Sequence, residues 1–192
     1  MVRNNHDYGK NMISFKSKVT IKILNYYFLN PDAKYYINEL ANILSLDPKN
    51  VYLKLKELEK EGILDSEFRG KERYFSLAKN YPLLDNYRQI FLKTFGLEQK
   101  LKHIIDGIQG VEEAYIYGSY ASNKMDSSSD IDMLLVGSHS TMELQKIINR
   151  LQKETGREFN IINLNKKEFE KMKKDKDQFI SNIFKGTIIK LL

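Results

Sequence analysis

Residues 118–137 read GSYASNKMDSSSDIDMLLVG. The pair Gly118-Ser119 follows the run VEEAYIY, and ten residues later Asp130-Ile131-Asp132 opens a second apolar run. Buried strands are usually built of Val, Ile and Leu, and a charge taken out of water there is costly unless it is paired. Two carboxylates in such a place either stay hydrated at an exposed strand start or hold a cation between them. Residues two apart on a strand share a face, so Asp130 and Asp132 are expected to project together. An oxygen-only set of this kind favours Mg²⁺ or Mn²⁺. Gly118 would let the backbone approach an anion closely, while the Ser119 hydroxyl and nearby amides can donate to phosphate oxygens. Strand, Gly-Ser, Asp-x-Asp, strand therefore describes a site for a metal-bound triphosphate. Either half alone would be common and weak.

Around this stretch the pattern alternates between strand and helix. Strands are expected near 112–117, 131–136 and 158–163, with a helix near 141–154 between the last two. Helices near 166–173 and 176–185 and a short strand in TIIKLL complete the chain. In REFNIINL, alternation places Glu158, Asn160 and Ile162 on one face. Lys166 to Lys176 is a basic run interrupted by Glu168, Glu170 and Asp175, the pattern of a solvated helix face.

Before residue 80 the character is different. VTIKILNYYFLN (19–30) has apolar residues at helical spacing and stops at Pro31-Asp32. YINELANILSL follows, with Asn38 as a candidate cap and Leu40, Ala41 and Leu44 facing inward. Asp47-Pro48 supplies an N-cap and first-turn proline for a third helix, in which Val51, Leu55 and Leu58 form the core stripe and Gly62 ends the run. LDSEFRGKERYFSL (64–77) reads as a hairpin with its tip at Arg69-Gly70-Lys71. On the outer face of the third helix Lys49, Tyr52, Lys56 and Lys60 recur at spacings of three and four, and Asn50 sits in the first turn. Such a stripe fits the major groove of DNA, with Arg69, Lys71 and Arg73 of the hairpin meeting phosphates. Glu57, Glu59, Glu61 and Glu72 dilute that charge, as they would on a merely solvated face.

The chain of 192 residues is long enough for one large domain or two small ones, and 42% hydrophobic with 29% charged residues marks it as globular. It has no cysteine, which excludes disulfides and thiolate metal sites and suits a cytoplasmic setting. The three histidines, His6, His103 and His139, are scattered. No apolar stretch is long enough to span a bilayer, so no membrane partner is expected. The net charge of +6 suggests an anionic partner, but only mildly.

The N-terminal order of helix, short helix, longer helix and hairpin resembles the winged helix-turn-helix of small prokaryotic regulators of the ArsR-like type, over residues 36–77. Gly-Ser followed by Asp-Ile-Asp resembles the polymerase-beta-like nucleotidyltransferase superfamily, in particular its minimal branch, over about residues 96–192. The fold class expected is therefore a two-domain α+β and α/β chain. Residues 1–14 would be a flexible leader and 15–80 the winged helix-turn-helix. A helical connector at 81–108, with Gly96 as a break, would lead to a small nucleotidyltransferase-like mixed sheet with flanking helices at 109–192. The resemblance implies that Gly118 and Ser119 bind nucleotide phosphates and that Asp130 and Asp132 bind metal and are catalytic. It implies Mg²⁺ or Mn²⁺ as cofactor and a nucleoside triphosphate such as ATP as substrate. Double-stranded DNA would be a partner of the first domain, with a homodimer or a protein acceptor also open.

Two departures from the family pattern stand out. The third carboxylate position aligns with Asn160, which can coordinate a metal but adds no charge, with Glu158 as its substitute if the register slips. Ser122-Asn123 stands where Arg-Gly is frequent. The implied function is metal-dependent nucleotidyl transfer coupled to DNA binding. Its alternatives are a DNA-binding regulator whose second domain binds nucleotide or partner without chemistry, and a nucleotide-free interaction module.

Overall fold

The computed structural model describes residues 15–126 and 128–192. The expected leader, residues 1–14, lies outside the described residues, and so does His6. The chain divides into two compact units, Met1–Phe95 and Gly96–Leu192. The expected connector is thus shared between them, with one of its two helices in each.

The first unit contains α1 (Lys18–Leu29), β1 (Tyr35–Tyr36), α2 (Ile37–Leu44), α3 (Pro48–Lys60), β2 (Leu64–Arg69), β3 (Glu72–Leu77) and α4 (Leu84–Thr94). Ser17 caps α1, and Asp47 caps α3 by accepting from the Asn50 amide. Each cap satisfies an amide that a helix start would otherwise leave without a partner. Val51, Leu55 and Leu58 of α3 are buried, as the spacing predicts, and Gly62 turns the chain with φ +81°. The hairpin pairs Leu64 with Leu77 through to Arg69 with Glu72, leaving Gly70 and Lys71 at the tip.

One local reading is corrected. Asn38 is not the cap of α2. The helix starts at Ile37, and Tyr36 precedes it in extended conformation with no side-chain cap. The reason is a strand that the sequence does not reveal: Tyr35 and Tyr36 pair with Phe75 and Tyr74, so β1 closes a three-stranded antiparallel sheet of order β1-β3-β2.

The second unit contains α5 (Leu97–Asp106), β4 (Val111–Tyr117), the one-turn α6 (Gly118–Ala121) and β5 (Ile131–Gly137). It continues with α7 (Thr141–Thr155), β6 (Phe159–Leu164), α8 (Lys166–Lys174), α9 (Gln178–Lys185) and β7 (Ile189–Lys190). Its sheet has the order β6-β5-β4-β7. β5 runs antiparallel to β4 and parallel to β6, so the sheet is mixed. A parallel pair needs a crossover, and α7 supplies it. TIIKLL contributes only the two-residue strand β7, against β4.

β5 is buried along almost its whole length, which is why its sequence is a continuous apolar run rather than an alternating one. On one face Tyr115, Leu134 and Val136 pack with Phe169 of α8 and with Ile180 and Ile183 of α9. Alternation then puts Asp132, two residues before Leu134, at the end of that same face. Among the described residues no helix is long and apolar enough to cross a membrane.

Candidate active site

β4 ends at Tyr117, which stands opposite Asp132 in the antiparallel register. The chain then turns sharply at Gly118, whose φ of +72° lies in the left-handed region that side-chain-bearing residues rarely adopt. A Cβ placed on Gly118 would stand 2.3 Å from Oδ2 of Asp132. The glycine is therefore required twice, by its backbone conformation and by the carboxylate lying over it. Ser119 follows, half-buried, in the single turn of α6.

Asp132 is half-buried. In the parallel register it sits beside Asn160, whose side-chain amide donates to Asp132 Oδ1 at 3.2 Å. Asn160, the expected third-ligand position, thus stands beside Asp132 in the sheet, whereas Glu158 precedes β6 and is exposed. With this orientation Asn160 offers Asp132 its NH₂ group. Rotating the amide would present its oxygen to a cation instead.

Asp130 behaves differently from the strand-based expectation. β5 begins at Ile131, so Asp130 lies before it and is exposed while Asp132 is not. Strand alternation alone does not bring the pair together, but electrostatics couples them. Burial holds the Asp132 carboxyl above the usual carboxylate range, the Asn160 hydrogen bond lowers it, and the Asp130 charge raises it further. The Tyr117 phenol is also pushed up, by burial and then by the Asp132 charge. Among the described residues no Lys or Arg forms an ion pair with Asp130 or Asp132, although the chain carries a net charge of +6. Two uncompensated carboxylates and one side-chain amide are a donor set suited to a hard divalent cation. No group of three His, Cys, Asp or Glu side chains converges among the described residues, so a third anionic ligand is missing.

Two positioning residues escaped the sequence reading. Arg157 is only 4% exposed, and its guanidinium donates to the Ser129 carbonyl at 3.0 Å, immediately before Asp130. Asp126 accepts from the Ser128 amide and from the hydroxyls of Ser128 and Ser129. These bonds, the Ser128 hydroxyl first, hold the Asp126 carboxyl below its usual range. The loop is thus tied at Ser129 from both sides, which restricts where Asp130 can point. A lone arginine at a strand start gives no sequence signal of burial.

In the first unit the expected nucleic-acid face is only partly free. Lys49, Asn50, Tyr52, Lys60, Arg69 and Lys71 are exposed, but Lys56 and Arg73 are half-buried and both bond Glu59, each at 2.6 Å. Burial works to raise the Glu59 carboxyl, but hydrogen bonds from Lys56, Ser66 and Arg73 and the Arg73 charge outweigh it and hold it low. Arg69 is paired with Glu67, which Lys34 also approaches. Among the described residues Lys49, Lys60 and Lys71 are in no ion pair. Leu53, 53% exposed, sits within the lysine stripe, and Phe68, 71% exposed, stands near the hairpin tip.

Residues 99–189, just under half of the chain, match the family model described as Polymerase beta, Nucleotidyltransferase. The matched residues fall within the second unit. A comparison with curated proteins found no match. Among solved structures, reduced HlyU from Vibrio cholerae N16961 is 14% identical, with a TM-score of 0.34 over 41% of this chain and 78% of its own. A Sulfolobus solfataricus protein described as a candidate nucleotidyltransferase is 20% identical, with a TM-score of 0.23 over 38% of this chain and 68% of its own. Scores this low bear on neither fold nor activity.

Proposed function

We propose that the protein is a divalent-metal-dependent nucleotidyltransferase, transferring from a nucleoside triphosphate such as ATP to a protein or small-molecule hydroxyl, with a DNA-binding first unit. The observation that carries the chemical half is the seat of Asp132 directly over Gly118. The point where the backbone can approach a phosphate and the carboxylate suited to its metal share one corner of the sheet. Asp130 and Asp132 would hold Mg²⁺ or Mn²⁺, with Asn160 as a neutral third ligand after its amide turns. A bound ion would supply charge neutralisation for the triphosphate and a lower pKa for the acceptor hydroxyl. Gly118 lets the backbone and the Asp132 carboxylate share one corner, the Ser119 hydroxyl would donate to the phosphates, and Arg157 and Asp126 keep the Asp130 loop in place. Catalysis would be positioning and charge stabilisation, and slow, because the third anion is absent.

The test is label transfer from radiolabelled triphosphates to the protein itself or to offered acceptors. Transfer should need Mg²⁺ and vanish in Asp132→Asn. Equal background in native protein, in the variant and in EDTA would end the catalytic reading.

Asn160 favours a second reading, in which the second unit binds nucleotide and the protein acts as a DNA-binding regulator without chemistry. Magnesium-dependent ATP binding with no transfer to any acceptor would select it. Under either reading the first unit would act as a winged helix-turn-helix. Its α3 would lie in the major groove, with Lys49, Asn50, Tyr52 and Lys60 towards the bases or backbone and Arg69 and Lys71 on phosphates. The order of helices and hairpin and the exposed lysines support this. Gel shifts on duplex DNA should weaken as salt rises, since each neutralised phosphate releases a counterion.

A further inference from the structure

Beside Gly118 the second unit has a cavity of about 390 Å³, lined by Tyr117, Gly118, Phe179, Asn182, Ile183 and Thr187. It lies on the α9 side of the sheet, the face on which Asp132 and Tyr117 sit. Its volume is near the lower end of the range for small-molecule sites, and its walls are mainly apolar with a few polar groups, the usual make-up of such sites. Phe179 is held in place from two directions. The Asp177 carboxylate accepts from the amides of Phe179 and Ile180, fixing the first turn of α9, and the Tyr117 ring meets the Phe179 ring edge-on at 6.4 Å. Yet Phe179 remains 39% exposed, while Ile180 and Ile183 of the same helix are buried in the core. A ring anchored at its backbone and by one perpendicular ring contact, and still exposed beside a cavity, is suited to stacking.

We infer that this cavity takes the nucleoside of the triphosphate, an adenine stacked on Phe179 with its edge read by Asn182. The inference rests on the reading of Gly118 and Asp132 as the phosphate and metal corner. The cavity opens on Gly118 itself, so a ligand whose phosphates meet that glycine has its nucleoside directed into it. Asn182, exposed on the same wall, carries one acceptor and one donor side by side, the complement of adenine's ring nitrogen and amino group. Guanine's N7 and O6 are both acceptors, so the same edge of guanine does not match. Thr187 brings a hydroxyl within the same cavity for the sugar.

The inference is tested by calorimetry on the full chain with Mg²⁺, titrating ATP, GTP and inorganic tripolyphosphate into native protein, Phe179→Ala, Phe179→Leu and Asn182→Ala. Phe179→Leu keeps apolar bulk on the helix but removes the ring face, and thermal melts check that each variant is folded. Both Phe179 variants should weaken ATP roughly five- to a hundredfold while leaving tripolyphosphate within about twofold of native. Asn182→Ala should weaken ATP about tenfold and GTP much less. If ATP and tripolyphosphate bind the native protein but ATP ignores both Phe179 variants, the nucleoside pocket is wrong and the phosphate site survives. If neither ligand binds native protein, the phosphate site fails and the pocket with it. Equal losses of ATP and GTP in Asn182→Ala would overturn the adenine assignment.

Discussion

The candidate sites of the two units handle charge differently. In the first, three cations of the candidate DNA face are met by carboxylates of the same unit: Glu59 holds Lys56 and Arg73, and Glu67 holds Arg69. In the second, burial and then the Asp130 charge make Asp132 costly to ionise, and no described cation pairs with either carboxylate. Charges neutralised within a unit contribute to its architecture and have less to offer a partner. Charges left uncompensated beside a glycine that must be a glycine are held there against their own repulsion, which is how binding and catalytic groups are commonly arranged. The basic excess of the chain therefore says less about function than two acidic residues do.

The contrast can be broken most sharply at Gly118. Gly118→Val sets a branched side chain where the Asp132 carboxylate lies and forces a left-handed backbone on a β-branched residue, a strain of roughly 1–2 kcal/mol. The structure can relieve the clash by moving Asp132, so the domain should still fold. Nucleotide binding by calorimetry should disappear, while circular dichroism and the first unit's gel shift stay unchanged. Undiminished ATP binding would place the phosphate site elsewhere.

Asp132→Asn probes the missing compensation. A carboxyl whose folded pKa is raised binds its proton more tightly in the folded state, so ionising it costs stability as pH climbs from the unfolded to the folded value. The variant should therefore melt higher than native at neutral pH in EDTA, with the gain fading as pH falls below the ordinary carboxylate range. Mg²⁺ should raise the melting temperature of native protein and leave the variant unmoved. An equal Mg²⁺ response in both would mean that Asp132 is not a metal ligand.

Asn160→Asp completes the carboxylate set at the same register position as Asp132. Label transfer should rise by about tenfold, and the melting temperature in EDTA should drop, because a third anion joins two that already repel. A slower variant would point to Glu158 instead.

Glu59→Gln has the smallest effect and acts on the other half of the contrast. Glu59 has its pKa lowered in the folded state, so its contribution to stability is full above the unfolded carboxyl value and is lost as pH falls through the folded one. The substitution should cost about 1 kcal/mol at neutral pH, read by urea unfolding, and almost nothing in acid. It should also release Lys56 and Arg73, so duplex DNA binding should tighten and its salt dependence should steepen by about one to two counterions. A gel shift no stronger than native would mean that those cations do not face the DNA.

The amino-acid sequence by itself determined the parts that depend on neighbours along the chain. Asp47-Pro48 had to start a helix, Val51, Leu55 and Leu58 had to face a core, and an apolar run behind Asp-x-Asp had to be a buried strand. Gly118-Ser119 was legible for the same reason, because a sharp turn after a strand is a local backbone demand. Tertiary structure decided everything that depends on which strand lies beside which. Tyr35 and Tyr36 form a strand only because β3 runs past them, a pairing that two residues cannot announce. Asn160 meets Asp132 because of the parallel register behind α7, Arg157 reaches Ser129 across 28 positions of chain, and Phe179 faces the Gly118 cavity because α9 folds back over the sheet. Such contacts are set by the sum of many weak packing preferences along whole elements rather than by any single residue, so no short motif encodes them.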